Sequence, residues 1–217
     1  MTIAPTTTDT DTELSAVNTI LGAIGQSPVT TLGTYTVNSN QISTYDNPEI
    51  AFVHNLLKES NIDVQNEGWH FNTEEHCHKT ADANGYLLFD TNALRMDFSQ
   101  PQSKHHDVVK RNGRLYDKVN HTDVWTVGEE YRVDIVWLFD FDDLPSIFKR
   151  LITYKAAGRA ATQMVTNPQL VQLLNIQEQT ARATCMEYEC NQGDHNYLGF
   201  PHETSFNTYQ PYIGLAR

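Results

Sequence analysis

The sequence has few basic residues and a clear excess of acidic ones. Lys and Arg number 15 against 27 Asp and Glu, which gives a formal charge of −12 over 217 residues. An acidic surface repels nucleic acid unless its cations are concentrated in one place. The densest basic group is the stretch VVKRNGR, whose Asn-Gly pair predicts a hairpin turn. We therefore expect no sequence-specific DNA binding, although such a surface could let DNA slide past without adhering.

Cysteine is also scarce, and no apolar run approaches the ~18 residues that would span a bilayer. The odd set of Cys77, Cys185 and Cys190 does not match a disulfide framework and favours synthesis in a reducing cytoplasm. The opening MTIAPTTTDTDTE has neither a basic start nor an apolar segment, so it does not resemble a secretion signal. We expect no association with a membrane.

Motifs that hold a catalytic nucleophile or a phosphate are missing as well. The sequence contains no G-x-S-x-G, no G-x-x-x-x-G-K-[ST] and no G-x-G-x-x-G. His76, Cys77 and His78 could begin a zinc site, but a closed site needs about four ligands and no C-x-x-C or H-x-x-x-H completes it. We therefore predict no metal site, no cofactor and no catalytic residues.

Asp140, Asp142 and Asp143 form an acidic group that has two interpretations. Glycosidases place two carboxyl groups ~5 to 10 Å apart, and Asp140 and Asp142 could share one face of a strand. The group also precedes a helix that begins with proline, where acidic residues act as caps. We favour capping of that helix by Asp142 or Asp143, and glycan hydrolysis is the alternative.

Four stretches carry apolar residues at helical spacing. Thr10 and Glu13 have the spacing of a capping box at the first helix, and Asn167 before Pro168 fits the start of the fourth. The four stretches are TDTELSAVNTILGAIG, YDNPEIAFVHNLLKES, DDLPSIFKRLITYKAAGRAATQM and NPQLVQLLNIQEQTARATCMEYEC. Packing all four together would bury their apolar stripes, which favours an antiparallel four-helix bundle.

The chain between the second and third helices has the pattern of short strands. Stretches such as GYLLFD, ALRMDFS and DVWTV are β-rich, and YRVDIVWLFDF alternates with period two. We predict an α+β fold in which a small antiparallel β domain is inserted into the bundle and an extended tail follows. The predicted boundaries are 1–76 with 143–198 for the bundle, 77–142 for the β domain and 199–217 for the tail.

Several stretches resemble the tail tubular protein A family, the head-to-tail adaptors of short-tailed bacteriophages. ELSAVNTILGAIGQSPVTTL is similar to the family's opening helix, and NEGWHFNTEE is similar to its segment after the second helix. DFDDLPSIFKRLITYKAAGRAA and ATCMEYECNQGDHNYL resemble the start of its third helix and the end of its fourth. The resemblance covers about residues 13–72 and 129–198 and is weak over 77–128.

The resemblance implies a structural virion protein without a cofactor. Family members form a ring, usually of twelve subunits, that joins the capsid portal to the tail nozzle, tail tubular protein B. The ring lines the channel through which DNA leaves, offers a place for tail fibres and is assembled in the host bacterial cytoplasm. A virion-associated glycan hydrolase and a generic oligomeric interaction module are the alternatives.

Two sets of aromatic residues complete the predicted sites. The tail is rich in aromatic side chains, which make good interface anchors, and we expect them to contact the portal. Gly68 ends the second helix, and we expect Trp69 and Phe71, which follow it, to anchor the chain to the helical core. The predicted portal contacts are Phe200, Phe206, Tyr209 and Tyr212.

Overall fold

The computed structural model describes residues 11–35, 42–45, 47–99, 105–165 and 167–192. This part of the chain is α+β with antiparallel strand pairs, which confirms the predicted class. Its helices are α1 (Glu13–Ala23), α2 (Pro48–Gln65), α3 (Ser146–Ala160) and α4 (Pro168–Gln192). Its strands are β1 (Gly33–Tyr35), β2 (Ile42–Tyr45), β3 (Thr73–Thr80), β4 (Ala93–Phe98), β5 (Val108–Arg111), β6 (Arg114–Asp117) and β7 (Glu130–Trp137).

The described residues form two compact units. Of these described residues, those up to Val64 and those of 139–188 form the helical unit, and those of 65–138 and 189–192 form the β unit. The predicted domain boundaries after residues 76 and 142 stay predictions. The predicted tail, 199–217, lies outside the described residues, and so do the four aromatic residues expected to contact the portal.

In the helical unit, α1 packs against α3. Both helices present apolar residues at intervals of three and four, which places them on one buried face. The alanines of α3 at 156, 157 and 160 are buried, and a Cβ added at Gly158 would meet Oδ1 of Asn175 from α4 at 3.8 Å. The fully buried side chains of α1 and α3 include Val17, Ile20, Leu21, Phe148, Leu151, Ile152 and Ala157.

Local capping rules account for three helix starts. Thr12 is the cap of α1, where its hydroxyl accepts the N–H of Ser15 at 3.3 Å; the predicted cap, Thr10, lies outside the described residues. Oδ1 of Asn47 accepts the N–H of Glu49 at 3.1 Å at the start of α2. Oδ1 of Asn167 accepts two N–H groups at the start of α4, as predicted.

The third helix begins differently from the prediction. Residues Phe141–Asp143 form a turn of 3₁₀ helix, and α3 starts at Ser146 after Pro145 without a side-chain cap. The expectation that Asp142 or Asp143 caps α3 is therefore wrong. The carbonyl oxygen of Pro145 instead accepts the N–H groups of Phe148 at 2.9 Å and Lys149 at 3.2 Å, so backbone bonds rather than an acidic side chain close the first turn of this helix.

The fourth helix buries less of its apolar stripe than the spacing predicted. Leu174 and Cys185 are buried, and Sγ of Cys185 contacts the carbonyl oxygen of Ile147 at 3.6 Å. Two other apolar residues of this helix are exposed instead: Leu173 is 62% exposed and Ile176 is 60% exposed. An exposed apolar pair three residues apart on a helix lies on one side of it.

In the β unit, β7 is the central strand of a three-stranded antiparallel sheet with the order β3-β7-β4. The alternation in YRVDIVW is confirmed, since Tyr131, Val133 and Ile135 are all buried. The strand ends at Trp137, so the pattern was wrong for Phe139, which is 38% exposed. The core cluster around these residues also contains Leu87, Met96, Phe98, Val108, Leu115 and Trp125.

Elsewhere in the β unit, the hairpin prediction is confirmed and two of the predicted strands are not. The Asn-Gly hairpin is confirmed as β5–β6, with Asn112 at φ 49° and Gly113 at φ 73° as a type I′ turn requires. GYLLFD and DVWTV form only isolated bridges, such as that of Tyr86 with Val124. The short β1–β2 pair between α1 and α2 was not predicted at all.

Candidate functional site

The turn that follows α2 is organised by the side chain of Asn72. Its Oδ1 accepts the N–H of Trp69 at 2.8 Å, and its Nδ2 donates to the carbonyl oxygens of Gln65 and Trp137, both at 2.9 Å. The residue is 1% exposed, so these bonds replace water for an amide that would otherwise be costly to bury. Asn72 thus ties the end of α2 and the end of β7 to the turn between them.

The same turn also meets the end of α4. The N–H of His70 donates to both carboxylate oxygens of Glu189, at 2.9 and 3.1 Å. His70 belongs to the stretch GWHFN and Glu189 to MEYE, two of the stretches that carry the family resemblance. Two motifs 119 residues apart in sequence are therefore in direct contact.

The two predicted anchors differ in burial. Trp69 is 5% exposed and Phe71 is half-buried. Gly68, just before them, has φ 78°, and an added Cβ would lie 3.2 Å from Nη2 of Arg95 and 3.4 Å from Cγ2 of Val136. Glycine is needed here both for its backbone conformation and for the space around it.

The His76-Cys77-His78 stretch forms a β-bulge rather than a regular strand. The register with β7 shifts between Glu74 and Cys77, and His76 has φ 59°. The N–H of His76 donates to Oδ1 of Asp134 at 2.9 Å, Cys77 packs against the core cluster, and His78 pairs with Glu130. Within the described residues, no group of three or more His, Cys, Asp or Glu is placed to hold a metal.

The acidic group at 140–143 lies on an exposed turn. Asp140 precedes the 3₁₀ turn and makes no capping bond through its side chain. Oδ1 of Asp142 accepts the N–H of Glu13 at 3.1 Å, so this carboxylate caps the first turn of α1 across 129 residues of sequence. The capping chemistry was predicted, but it acts on a different helix.

A buried lysine lies at the same end of α1. Lys149 is 3% exposed, and its Nζ donates to the carbonyl oxygens of Asp11 at 3.0 Å and Asp142 at 2.8 Å. These two carbonyl oxygens keep the ammonium group hydrogen-bonded, since a buried charge without such partners would be costly. The cation therefore holds the residue before α1 and the 3₁₀ turn against α3.

A second buried contact joins α1 to α2 within the helical unit. Nε2 of His54 lies 3.3 Å from Oε2 of Glu13, and Nδ1 of His54 is hydrogen-bonded to the hydroxyl of Tyr45 at 2.9 Å. The hydrogen bond from His54 lowers the pKa of Glu13, which outweighs the opposite effect of burial. The charged form of Glu13 is thus part of the folded structure.

The helical unit also has an apolar groove between α3 and α4. Its walls include Ile147 and Tyr154 from α3 and Ile176 and Ala181 from α4. None of Asp140, Asp142 and Asp143 lines this groove.

The contacts described above join helix ends and strands within each unit. The model of the tail tubular protein family matches residues 14–195. The chain belongs to the tail tubular protein family. No curated protein sequence gives a significant match. This match confirms the family that the quoted stretches indicated. As a tail tubular protein, the chain is a structural component of the bacteriophage tail.

Sequence reasoning missed three residues that organise this tail tubular chain. Asn72 and Glu189 both lie in stretches that resemble the family, so the resemblance offered a signal for them, although not for their roles. Lys149 gave no signal, since a lysine among the helical residues SIFKRL is normally exposed.

Within the described residues, no helix combines the length and apolar content needed to cross a bilayer.

Proposed function

We propose that this tail tubular protein forms a ring that joins the capsid portal to the tail nozzle and lines the channel through which DNA leaves. The observation that carries the proposal is the family match over residues 14–195. The ring, of about twelve subunits by the family resemblance, has portal, tail tubular protein B and tail fibres as partners. It is made in the host cytoplasm and occupies the head-tail junction of the virion.

The charge of the chain supports a channel role. With a formal charge of −12, its surface repels phosphate, so DNA passes without sequence-specific binding. Electron microscopy of the protein mixed with its portal tests the proposal. We expect rings stacked on the portal, and a protein that stays dispersed beside intact portal would contradict it.

We propose that the C-terminal aromatic residues Phe200, Phe206, Tyr209 and Tyr212 contact the portal. Aromatic side chains bury a large area at little entropic cost, which favours them as interface anchors. A chain truncated after Asn196 should fold but lose attachment to the portal, as measured by co-sedimentation. Attachment that survives the truncation would rule out this contact.

We propose that the β region, 80–142, faces the nozzle. Cross-linking of assembled tails, followed by peptide mass spectrometry, should then join this region to tail tubular protein B. Links from it to the portal alone would exclude this orientation.

We propose that α1, α2, α3 and α4 complete an antiparallel four-helix bundle. Helices packed as neighbours lie about 8–10 Å apart, so spin labels on α2 and α4 should lie within roughly 20 Å of each other. A longer distance would show that the four helices do not share one core.

We propose that Trp69, with Phe71 beside it, is the structural anchor of the GWHFN turn. Because the Trp69 ring is buried, Trp69→Ala should lower the free energy of unfolding by about 3–5 kcal/mol. Chemical denaturation measures this loss, with Phe71→Ala as the half-buried control that should cost less. A Trp69→Ala protein as stable as the wild type would refute the role.

A further inference from the structure

The tip of the β5–β6 hairpin carries the densest group of cations in an otherwise acidic chain. Arg111 and Arg114 are direct cross-strand partners that flank the two-residue turn, and Lys110 precedes them. Like charges placed opposite each other destabilise a strand pair. Hairpin stability therefore does not account for this pair of arginines.

Each of the three cations lies over an aromatic ring. Arg114 is 3.5 Å from the centroid of Tyr86, Arg111 is 3.9 Å from that of Tyr116, and Lys110 is 4.1 Å from that of Phe89. Cation–π contacts hold long side chains in place and leave the outward N–H groups available for an anion. The entropy normally lost when an arginine binds a carboxylate is thus partly lost already.

Few carboxylates of the same chain neutralise this tip. Among ion pairs between described residues, Arg114 reaches Asp123 at 3.4 Å, while Lys110 and Arg111 have none. Lys118, which follows β6, differs from these cations because it forms a 2.6 Å ion pair with Asp107. The tip thus presents positive charge at an exposed two-residue turn.

The acidic turn at 140–143 has the complementary character. Asp140 and Asp143 are exposed, and neither pairs with a cation within the described part of the chain. Asp142, between them, uses one oxygen to cap α1. Arginine pairs and carboxylates match in charge and in hydrogen-bonding geometry.

We infer that the basic hairpin tip of one copy of this chain binds the acidic turn at 140–143 of the next copy. A contact between two different surfaces is heterologous, and repeated around a closed rotation it generates a ring. The inference rests on the proposed ring and names the surfaces that hold its neighbours in register. Electrostatic complementarity of this kind selects the correct partner and orientation.

The first test compares two variants that lose the same charge. R111Q/R114Q removes the arginine pair, and R95Q/R132Q removes two exposed arginines from the three-stranded sheet. Sedimentation velocity of the full chain, alone and with portal, should show self-association weakened about tenfold at low salt in R111Q/R114Q only, a difference that high salt removes. Circular dichroism verifies that both variants fold.

The second test reverses the charges on both surfaces. R111E/R114E and D140K/D143K should each fail to assemble, because each variant then carries one sign on both surfaces. A mixture of the two should assemble into rings in which the variants alternate, since every tip then meets a turn of opposite charge. Native mass spectrometry identifies such rings by their equal content of the two variants.

The outcomes separate this inference from the proposed function. If the wild type forms rings on the portal and R111Q/R114Q does so equally well, or if the mixed variants fail to assemble, the inference is wrong and the adaptor role stands. If R111Q/R114Q instead loses affinity for a short DNA duplex with unchanged assembly, the tip contacts DNA and the inference is also wrong. A wild type that never assembles overturns both.

Discussion

The helical unit and the β unit differ in how their charged contacts are distributed along the chain. In the helical unit, Lys149 bonds to Asp11 across 138 residues and Arg159 pairs with Asp63 across 96. In the β unit, the pairs of Lys79 with Asp90 and of His106 with Asp117 each span 11 residues. In the helical unit these contacts join the two separate segments that form it, whereas the hairpins of the β unit add local pairs to its long-range bond between His70 and Glu189.

The two units also differ in what fills their cores. The β unit has an aromatic cluster in which Phe98 stacks on Tyr131 with centroids 5.6 Å apart and meets Trp125 edge-on at 5.1 Å. The helical unit relies on aliphatic side chains of α1, α2 and α3, and its ring contacts are the edge-on pairs of Phe148 with Tyr188 at 5.8 Å and of Tyr45 with His54 at 5.7 Å among the described residues. Loss of one large ring should therefore damage the β unit most, and loss of one long-range polar contact should damage the helical unit most.

The largest expected effect is that of Trp125→Ala. The substitution removes a ring that contacts those of Phe98, His106 and Tyr131 and whose Nε1 donates to the carbonyl oxygen of Leu115 at 3.0 Å. We expect a loss of about 3–5 kcal/mol in the free energy of unfolding, measured by urea titration. Trp125→Phe is the control: it keeps a ring and should cost less, and equal losses would mean that the aromatic packing is unimportant.

Lys149→Met tests the long-range contacts of the helical unit. The methionine keeps an unbranched apolar stem but removes the ammonium, so the carbonyl oxygens of Asp11 and Asp142 lose their donor. Hydrogen bonds to charged groups are worth about 1.5–3 kcal/mol, and we expect a loss in that range. Lys155→Met, at a cation with only a 4.0 Å pair to Asp63, should cost much less. Equal stability of the two variants would refute the stabilising role of the Lys149 contacts.

Asn72→Asp probes a polar contact inside the β unit. The aspartate is nearly isosteric and keeps an acceptor for the N–H of Trp69, but it cannot donate to Gln65 and Trp137. We expect about 1–3 kcal/mol of lost stability at neutral pH from the unsatisfied buried carbonyls and the buried charge. Thermal melting measures it, and partial recovery at low pH, where a protonated side chain can donate once, would support this cause.

The smallest expected effect is a loss of stability in acid, shared by both units. The hydrogen bond from His54 lowers the pKa of Glu13, and for Asp117 burial acts to raise the pKa but is outweighed by hydrogen bonds from His106, Val119 and Asn120. A lowered folded pKa means that the unfolded chain binds more protons. Stability should thus be complete above the ordinary values of 4.5 and 3.8 and fall as pH drops through the folded pKa.

Urea titrations at a series of pH values from about 7 down to about 3 measure how the free energy of unfolding changes where carboxylates protonate. Glu13→Gln should flatten it for the helical unit and Asp117→Asn for the β unit. Curves that keep the wild-type slope in both variants would show that other carboxylates govern the acid response.

The sequence predicts the local features of this fold and misses the distant ones. Asn47 and Asn167 before proline mark two helix starts, and Asn112-Gly113 marks a hairpin, because each depends on a few adjacent residues. The bulge at His76 depends on its partner strand, which period-two reasoning does not contain. The exposure of Leu173 likewise depends on which helices pack against α4.

The candidate site follows the same rule. The stretches GWHFN and MEYE could be singled out from sequence, but the bond between His70 and Glu189 could not, since it joins positions 119 residues apart. Asp142 illustrates the limit: an acidic residue beside a helix start predicts a cap, and only the three-dimensional structure shows that the capped helix is α1.

The type I′ turn at Asn112-Gly113 bears on how this protein ages. An asparagine followed by glycine can lose its side-chain amide as ammonia, because glycine leaves its own backbone nitrogen room to attack the amide carbon. Water then opens the cyclic imide that forms, so the product carries a carboxylate between Arg111 and Arg114. Where the chain then continues through the former side chain, the backbone of the turn is altered at a position of positive φ. Long-stored protein should therefore accumulate a more acidic form with a changed hairpin tip, so freshly prepared samples are the proper reference for any measurement on this surface.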